Sequence, residues 1–222
     1  MVKAFRTAVL FLLFGLLCAC QSMRAADGPE DKITTAAKIN VRLGMAYLDR
    51  HDISRAKQKF LLALDQGPYI PETWYSMGYF MEATGNTEQA QKYYLKAIKV
   101  APDRGDTLNN YGTYLCRNGN YQTSITYFMK AIKDPKYLDP AAAYENAGLC
   151  ALKIPDHTNA AMYFKRALAE DPTRATSLIK LAELNYRIGN YALARHELKQ
   201  YLQLSSPTAE SYVLEQKIDA KL

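Results

Sequence analysis

The sequence predicts an all-α protein, a solenoid of antiparallel helix pairs stacked side by side and closed by a C-terminal helix. Three observations predict it. A small residue returns at a near-constant interval, at Gly44, Gly78, Gly112, Gly148 and Ala182, spaced 34, 34, 36 and 34 residues apart. The same order of side-chain sizes follows each anchor: Ala56, Ala90, Ser124, Ala160 and Ala194 twelve residues on, then Phe60, Tyr94, Phe128, Phe164 and Leu198 four later. Proline closes three units in register, at Pro68, Pro102 and Pro172, with Pro135 and Pro207 one position off. A period of this length marks architectures in which each unit buries its apolar face only by stacking on its neighbours.

Composition agrees. The chain has 222 residues, 49% hydrophobic and 23% charged, which excludes a wholly disordered chain, a collagen-like chain and a multi-span membrane protein. Four cysteines are too few for a disulfide-framework miniprotein.

The first element is an address rather than fold. Lys3 and Arg6 precede an apolar run of ten residues, Ala8 to Leu17, too short to span a bilayer and the right length for a signal-peptide core. Leu17-Cys18-Ala19-Cys20 follows and resembles the lipobox of bacterial lipoproteins, which implies removal of residues 1–19 and diacylglycerol modification of Cys20, with acylation of its freed amine. A plain secretory signal cleaved later, at Ala25 or Ala26, is the alternative; Cys18 follows the bulky Leu17 and makes a poor lipobox. Gln21 stands where an Asp would resemble an inner-membrane retention signal, and so favours the outer membrane. Cleavage leaves 26 Lys and Arg against 22 Asp and Glu, weak grounds for a polyanionic partner. Residues 20–32 read as a flexible lipid-anchored tether, reaching about 40 Å when extended.

Residues 33–222 form the repeat domain, with units at about 37–70, 71–104, 105–140, 141–174 and 175–207, and a cap helix at 208–222. Within each unit the small residues let two helix backbones approach while the large ones fill the gaps. Proline ends the second helix. Thr84-Gly85-Asn86, Asn118-Gly119-Asn120 and Ile188-Gly189-Asn190 supply Gly or Asn where a left-handed cap is needed. The third unit is longer by two residues around Asp134-Pro135-Lys136-Tyr137-Leu138-Asp139-Pro140, predicting a partly irregular connection, either a tolerated insertion or a partner-contact loop. The polar face of the last helix would close the open end of the stack.

The pattern resembles the tetratricopeptide repeat: the first unit reads Asn40, Leu43, Gly44, Tyr47, Ala56, Phe60, Ala63, Pro68, and the second adds Trp74 in the early aromatic slot. That resemblance implies a right-handed superhelical solenoid whose first helices line a concave, peptide-binding face. Its inward positions would make Val41, Met45 and Leu48 an apolar stripe, bordered by stacked Tyr75 and Tyr79, and suited to a hydrophobic peptide. Alternatively, helix 33–49 packs this stripe against the N-terminal segment.

Sites for chemistry are missing. His51 and His157 fall in turns and His196 in a second helix, with no ligand spacing for a metal. There is no Walker loop, nucleophile elbow or dinucleotide fingerprint, so the expectation is a binding module with no cofactor, not an enzyme, and with no nucleic-acid partner.

Cys116 and Cys150 are the cysteines of the repeat domain. Both lie late in first helices, at similar heights on neighbours, beside the small residues Gly112, Ala147, Gly148 and Ala151. In an oxidising periplasm a disulfide between them is expected; two buried free thiols are the alternative.

Three segments narrow the resemblance: Asn109-Asn110-Tyr111-Gly112-Thr113-Tyr114-Leu115-Cys116, Tyr144-Glu145-Asn146-Ala147-Gly148-Leu149-Cys150, and Leu181-Ala182-Glu183-Leu184 with Gly189-Asn190-Tyr191-Ala192-Leu193-Ala194-Arg195. These are similar to the type IV pilus biogenesis/stability lipoproteins, the PilF/PilW pilotin family. The resemblance implies a monomeric outer-membrane lipoprotein facing the periplasm, whose partner is the secretin subunit of the type IV pilus. It also implies that the protein promotes secretin localisation and multimerisation or stabilises assembled pili. A tetratricopeptide lipoprotein organising other envelope or cell-wall machinery is the competing expectation.

Overall fold

The computed structural model describes residues 29–222; the leader, Cys20 and the first part of the tether lie outside the described residues. Ten helices form five pairs: α1 (Pro29–Asp49) with α2 (Ile53–Gln66), α3 (Pro71–Ala83) with α4 (Thr87–Val100), α5 (Gly105–Arg117) with α6 (Tyr121–Ala131), α7 (Pro140–Ala151) with α8 (His157–Glu170), and α9 (Ala175–Arg187) with α10 (Tyr191–Leu204). A last helix, α11 (Ala209–Asp219), follows. Helix α1 begins at Pro29, so the last four residues of the expected tether are helical.

The anchor residues explain the pairing. A Cβ built on Gly44 would lie 2.8 Å from the Phe60 ring, one on Gly78 3.0 Å from Tyr94, one on Gly112 2.8 Å from Phe128 and one on Gly148 2.7 Å from Phe164. Each of these aromatics therefore packs directly against the bare backbone of its own first helix. In the fifth unit both partners change size together, to Ala182 and Leu198, and both remain buried.

Helix ends follow local chemistry. Gly85, Gly119 and Gly189 have φ of +82°, +82° and +84°, a left-handed conformation that costs glycine nothing. In the first unit His51 takes that role at φ +58°. Asp52, Asp139 and Asp156 cap α2, α7 and α8 by accepting from the amides of Arg55, Ala142 and Asn159, and Thr208 and Ser211 form a capping box on α11. Pro71 and Pro140 occupy the first turns of α3 and α7, where the missing N–H costs nothing.

The core is built across unit boundaries. Val41, Leu48, Ala56, Phe60 and Ala63 of the first unit close on Met77 and Phe80 of the second. Ala90 and Tyr94 of the second close on Tyr111, Tyr114 and Leu115 of the third. The chain has 17 tyrosines, and several pack together here: the Tyr94 and Tyr114 rings lie 4.8 Å apart, and Tyr127 meets Tyr111 edge-on at 4.8 Å. At the far end Leu214 and Ile218 of α11 cover Leu178, Leu198 and Tyr201. The clusters among the described residues are made of residues 41 to 218.

The 134–140 connection is irregular but tied down. The Asp134 carboxylate accepts from the amides of Gly105 (2.8 Å) and Lys136 (2.9 Å). The Tyr137 side chain covers Gly105 so closely that a Cβ there would meet it at 2.5 Å. Asp139 caps α7 and pairs with Arg174. Leu138 stands clear, 97% exposed.

Candidate peptide-binding face

Consecutive first helices touch one another, α1 on α3, α3 on α5 and α5 on α7, while each second helix reaches the next unit through the first helix that follows it. The first helices are therefore the closely spaced, inner wall of the stack and the second helices the outer one.

Along the inner wall, neighbouring units are joined by polar and covalent links. Arg117 of α5 donates from Nε and Nη2 to the two carboxylate oxygens of Glu82 on α3, at 2.7 and 2.6 Å. Its guanidinium also lies 5.7 Å from the centre of the exposed Tyr79 ring. Asn146 of α7 donates to the Asn109 side-chain oxygen of α5 at 3.1 Å. Glu145 of α7 accepts from the Ser177 amide (3.1 Å) and hydroxyl (2.8 Å) of α9. Cys116 and Cys150 form a disulfide between α5 and α7, with Cα atoms 5.9 Å apart, inside the range that a disulfide requires. Facing Cα atoms come this close at an ordinary axis separation of about 8–10 Å, because each Cα stands about 2.3 Å off its own helix axis.

The expected apolar stripe is corrected. Val41 and Leu48 do not line a groove; they are buried, 4% and 9% exposed, against Phe60, Met77 and Phe80. The reason is that α3 packs directly on α1 and covers the positions that would otherwise face inward. The described partners of the stripe are α2 and α3; the N-terminal segment expected as its alternative cover lies outside the described residues. Met45 is half-buried against the same cluster. Tyr75 is half-buried among Tyr94, Tyr111 and Tyr114, and burial pushes its phenol well above the usual range. Tyr75 and Tyr79 do not form an aromatic pair; Tyr79 meets Arg117 instead. Of the five residues Tyr79 is the most exposed, and Met45 and Tyr75 are half-buried.

An apolar recess lies at the C-terminal end of the stack. Tyr186 of α9 and Val213 and Leu214 of α11 line a cavity of about 480 Å³, rimmed by Glu183, Arg187, Glu210 and Lys217. The cap helix is therefore not uniformly polar on its outer side: Tyr212 and Val213 are exposed. Sequence reasoning missed both this recess and the Glu82–Arg117 link. The available signal was complementary polar residues about one repeat length apart.

The histidines are dispersed: His51 in a turn, His157 as the first residue of α8 rather than in a turn, and His196 within α10. Among the described residues no group of three or more His, Cys, Asp or Glu is placed to hold a metal ion, and no helix is long and apolar enough to cross a membrane.

Paired helices, glycine-on-aromatic contacts and cross-unit cores are matched by sequence models. Three models described as tetratricopeptide repeat match residues 71–104, 93–126 and 112–175. The chain is a tetratricopeptide-repeat solenoid. No curated protein matches this solenoid in sequence. Among solved structures it is similar to PilF of Pseudomonas aeruginosa, at 23% identity and a TM-score of 0.77, covering 85% of each chain. It is similar also to PilW, a widely conserved type IV pilus biogenesis factor, at 28% identity and a TM-score of 0.72, covering 83% of this chain and 85% of that one. Yeast Tom70 superposes with a TM-score of 0.72 at 13% identity, over 83% of this chain and 39% of that one. A likeness at such low identity shows the fold alone, and the fold does not name a partner.

Proposed function

We propose that this solenoid is a type IV pilus biogenesis factor of the pilotin kind. In this reading it is an outer-membrane lipoprotein, anchored through Cys20 on the periplasmic face. It holds the pilus secretin subunit and promotes its localisation and multimerisation. The single observation that carries the reading is the likeness to PilW, which extends over more than four fifths of both chains at 28% identity. The lipobox of the sequence supplies location, because two or more acyl chains anchor stably where one does not. The inner wall supplies affinity through the Tyr79 and Tyr186 ends, with the rigid Glu82–Arg117 and Cys116–Cys150 links between them holding the two at a fixed separation. The role is non-enzymatic binding.

Deletion of the gene followed by a gel for heat-resistant secretin multimers tests the reading. Loss of multimers, restored by the intact chain and not by the Cys20→Ala variant, is the expected result. Normal multimers and normal pili after deletion would turn the assignment toward another envelope machine.

A further inference from the structure

Charge in this protein is sorted by helix type. The five second helices together carry eleven Lys and Arg against four Asp and Glu, whereas the five first helices carry six against eight. The outer wall is thus basic and the inner wall slightly acidic, a division that the small overall net charge conceals.

The outward positions of the second helices repeat a second feature. Most pair a large exposed apolar side chain with basic neighbours one turn away. Helix α2 presents Leu61 beside Lys57, and α4 presents Leu95 between Lys92 and Lys99. Helix α8 presents Met162 beside Lys165 and Arg166, and α10 presents Leu193, with Lys199 nearly two turns on. Several of these cations are spoken for within the protein, Lys92 by Glu88 and Lys96 by the Trp74 ring. Lys57, Lys99, Lys165 and Lys199 are exposed and have no ion-pair partner among the described residues.

We propose that this outer, second-helix wall rests on an anionic lipid surface, its lysines against headgroup phosphates and its outward Leu and Met side chains in the interfacial layer. Charge complementarity carries the choice. Basic residues near a negatively charged bilayer attract additively and over a Debye length, and long lysine stems can cover apolar surface while their ammonium groups stay at the phosphate level. An outward-bulging wall meets a bilayer along adjacent helices, which is how the recurring Leu or Met with lysines is distributed. The arrangement would leave the inner wall facing away from the membrane, open to a partner. The inference concerns the protein surface alone and stands whether or not Cys20 is acylated.

The test uses residues 29–222, which contain all the described core clusters, and co-sedimentation with vesicles of phosphatidylglycerol and phosphatidylethanolamine or of phosphatidylcholine alone. The expected result is sedimentation with the anionic vesicles only, abolished by raised salt; the salt titration reads the unmodified domain and needs no variant. Substituting Lys57→Glu, Lys99→Glu, Lys165→Glu and Lys199→Glu together should weaken partitioning about tenfold or more. A variant with the same change of net charge at first-helix positions, Lys32→Glu, Lys38→Glu, Arg42→Glu and Arg187→Glu, should retain most of it. Equal loss in both variants, equal binding to phosphatidylcholine, or no binding to anionic vesicles overturns the proposal. Binding of soluble polyglutamate without sedimentation on the vesicles would overturn it in favour of an acidic protein partner.

Discussion

Phe164 lies on Gly148 so closely that a single methyl group on the glycine would sit 2.7 Å from the ring. Both residues are fully packed within the fourth unit, so neither ring nor backbone can yield cheaply. Gly148→Ala gains about 1 kcal/mol of helix propensity and still destabilises the protein, by about 1–3 kcal/mol, through overpacking. The double variant Gly148→Ala, Phe164→Leu recreates the pairing of Ala182 with Leu198 and should recover most of that loss. Urea midpoints of the three proteins check it; a stabilised single variant would mean that the ring has room.

The Cys116–Cys150 bond closes a loop of 34 residues across the irregular 134–140 connection. Reduction should lower stability by about 3–4 kcal/mol in the chain-entropy model. The double alanine variant should show the lowered stability without reductant and no further response to it. Unfolding midpoints with and without dithiothreitol measure both.

Leu48 and Tyr79 should separate core from contact surface. Leu48→Glu places a carboxylate among Phe60, Met77 and Phe80 and should cost about 3 kcal/mol or more, lowering the thermal midpoint. Tyr79→Glu, at a side chain already 37% exposed, should leave the midpoint within a few degrees while reducing co-purification of the secretin. A Tyr79 variant that binds normally would shift the contact toward the Tyr186 recess.

Asp134 ties the long connection to α5. The amides of Gly105 and Lys136 hold its carboxyl below the ordinary carboxylate range. A lowered folded-state pKa stabilises the ionised form, so the contact is present above about pH 4 and is lost as pH falls through and below that value. Protection of the Gly105 amide, measured against amides in the middle of α5, should fall on acidification. Asp134→Ala should show the same reduced protection at neutral pH, with no further acid response.

Much of this architecture is legible because a repeat states each rule several times. The anchors, the alanines and the closing prolines recur at one spacing, and the turns at Gly85, Gly119 and Gly189 announce their positive φ by residue type. His51 escapes that reading, since only the backbone shows that a histidine holds the left-handed position of the first turn. The inward register failed at Val41 and Leu48 for a related reason. A helical position predicts which way a side chain points, and says nothing of how near the next helix comes.

What the sequence determined by itself was the unit: its length, its two helices, the glycine beneath the aromatic and the order of five copies. These follow from contacts within about 34 residues, where spacing and side-chain size are enough. The tertiary structure decided what happens between units. It set the burial of Val41 by α3, the reach of Arg117 back to Glu82, the bond between Cys116 and Cys150, and the separation of a basic outer wall from an acidic inner one. Those outcomes depend on the tilt and distance at which one helix pair meets the next, a quantity summed over many small contacts and written in no single residue.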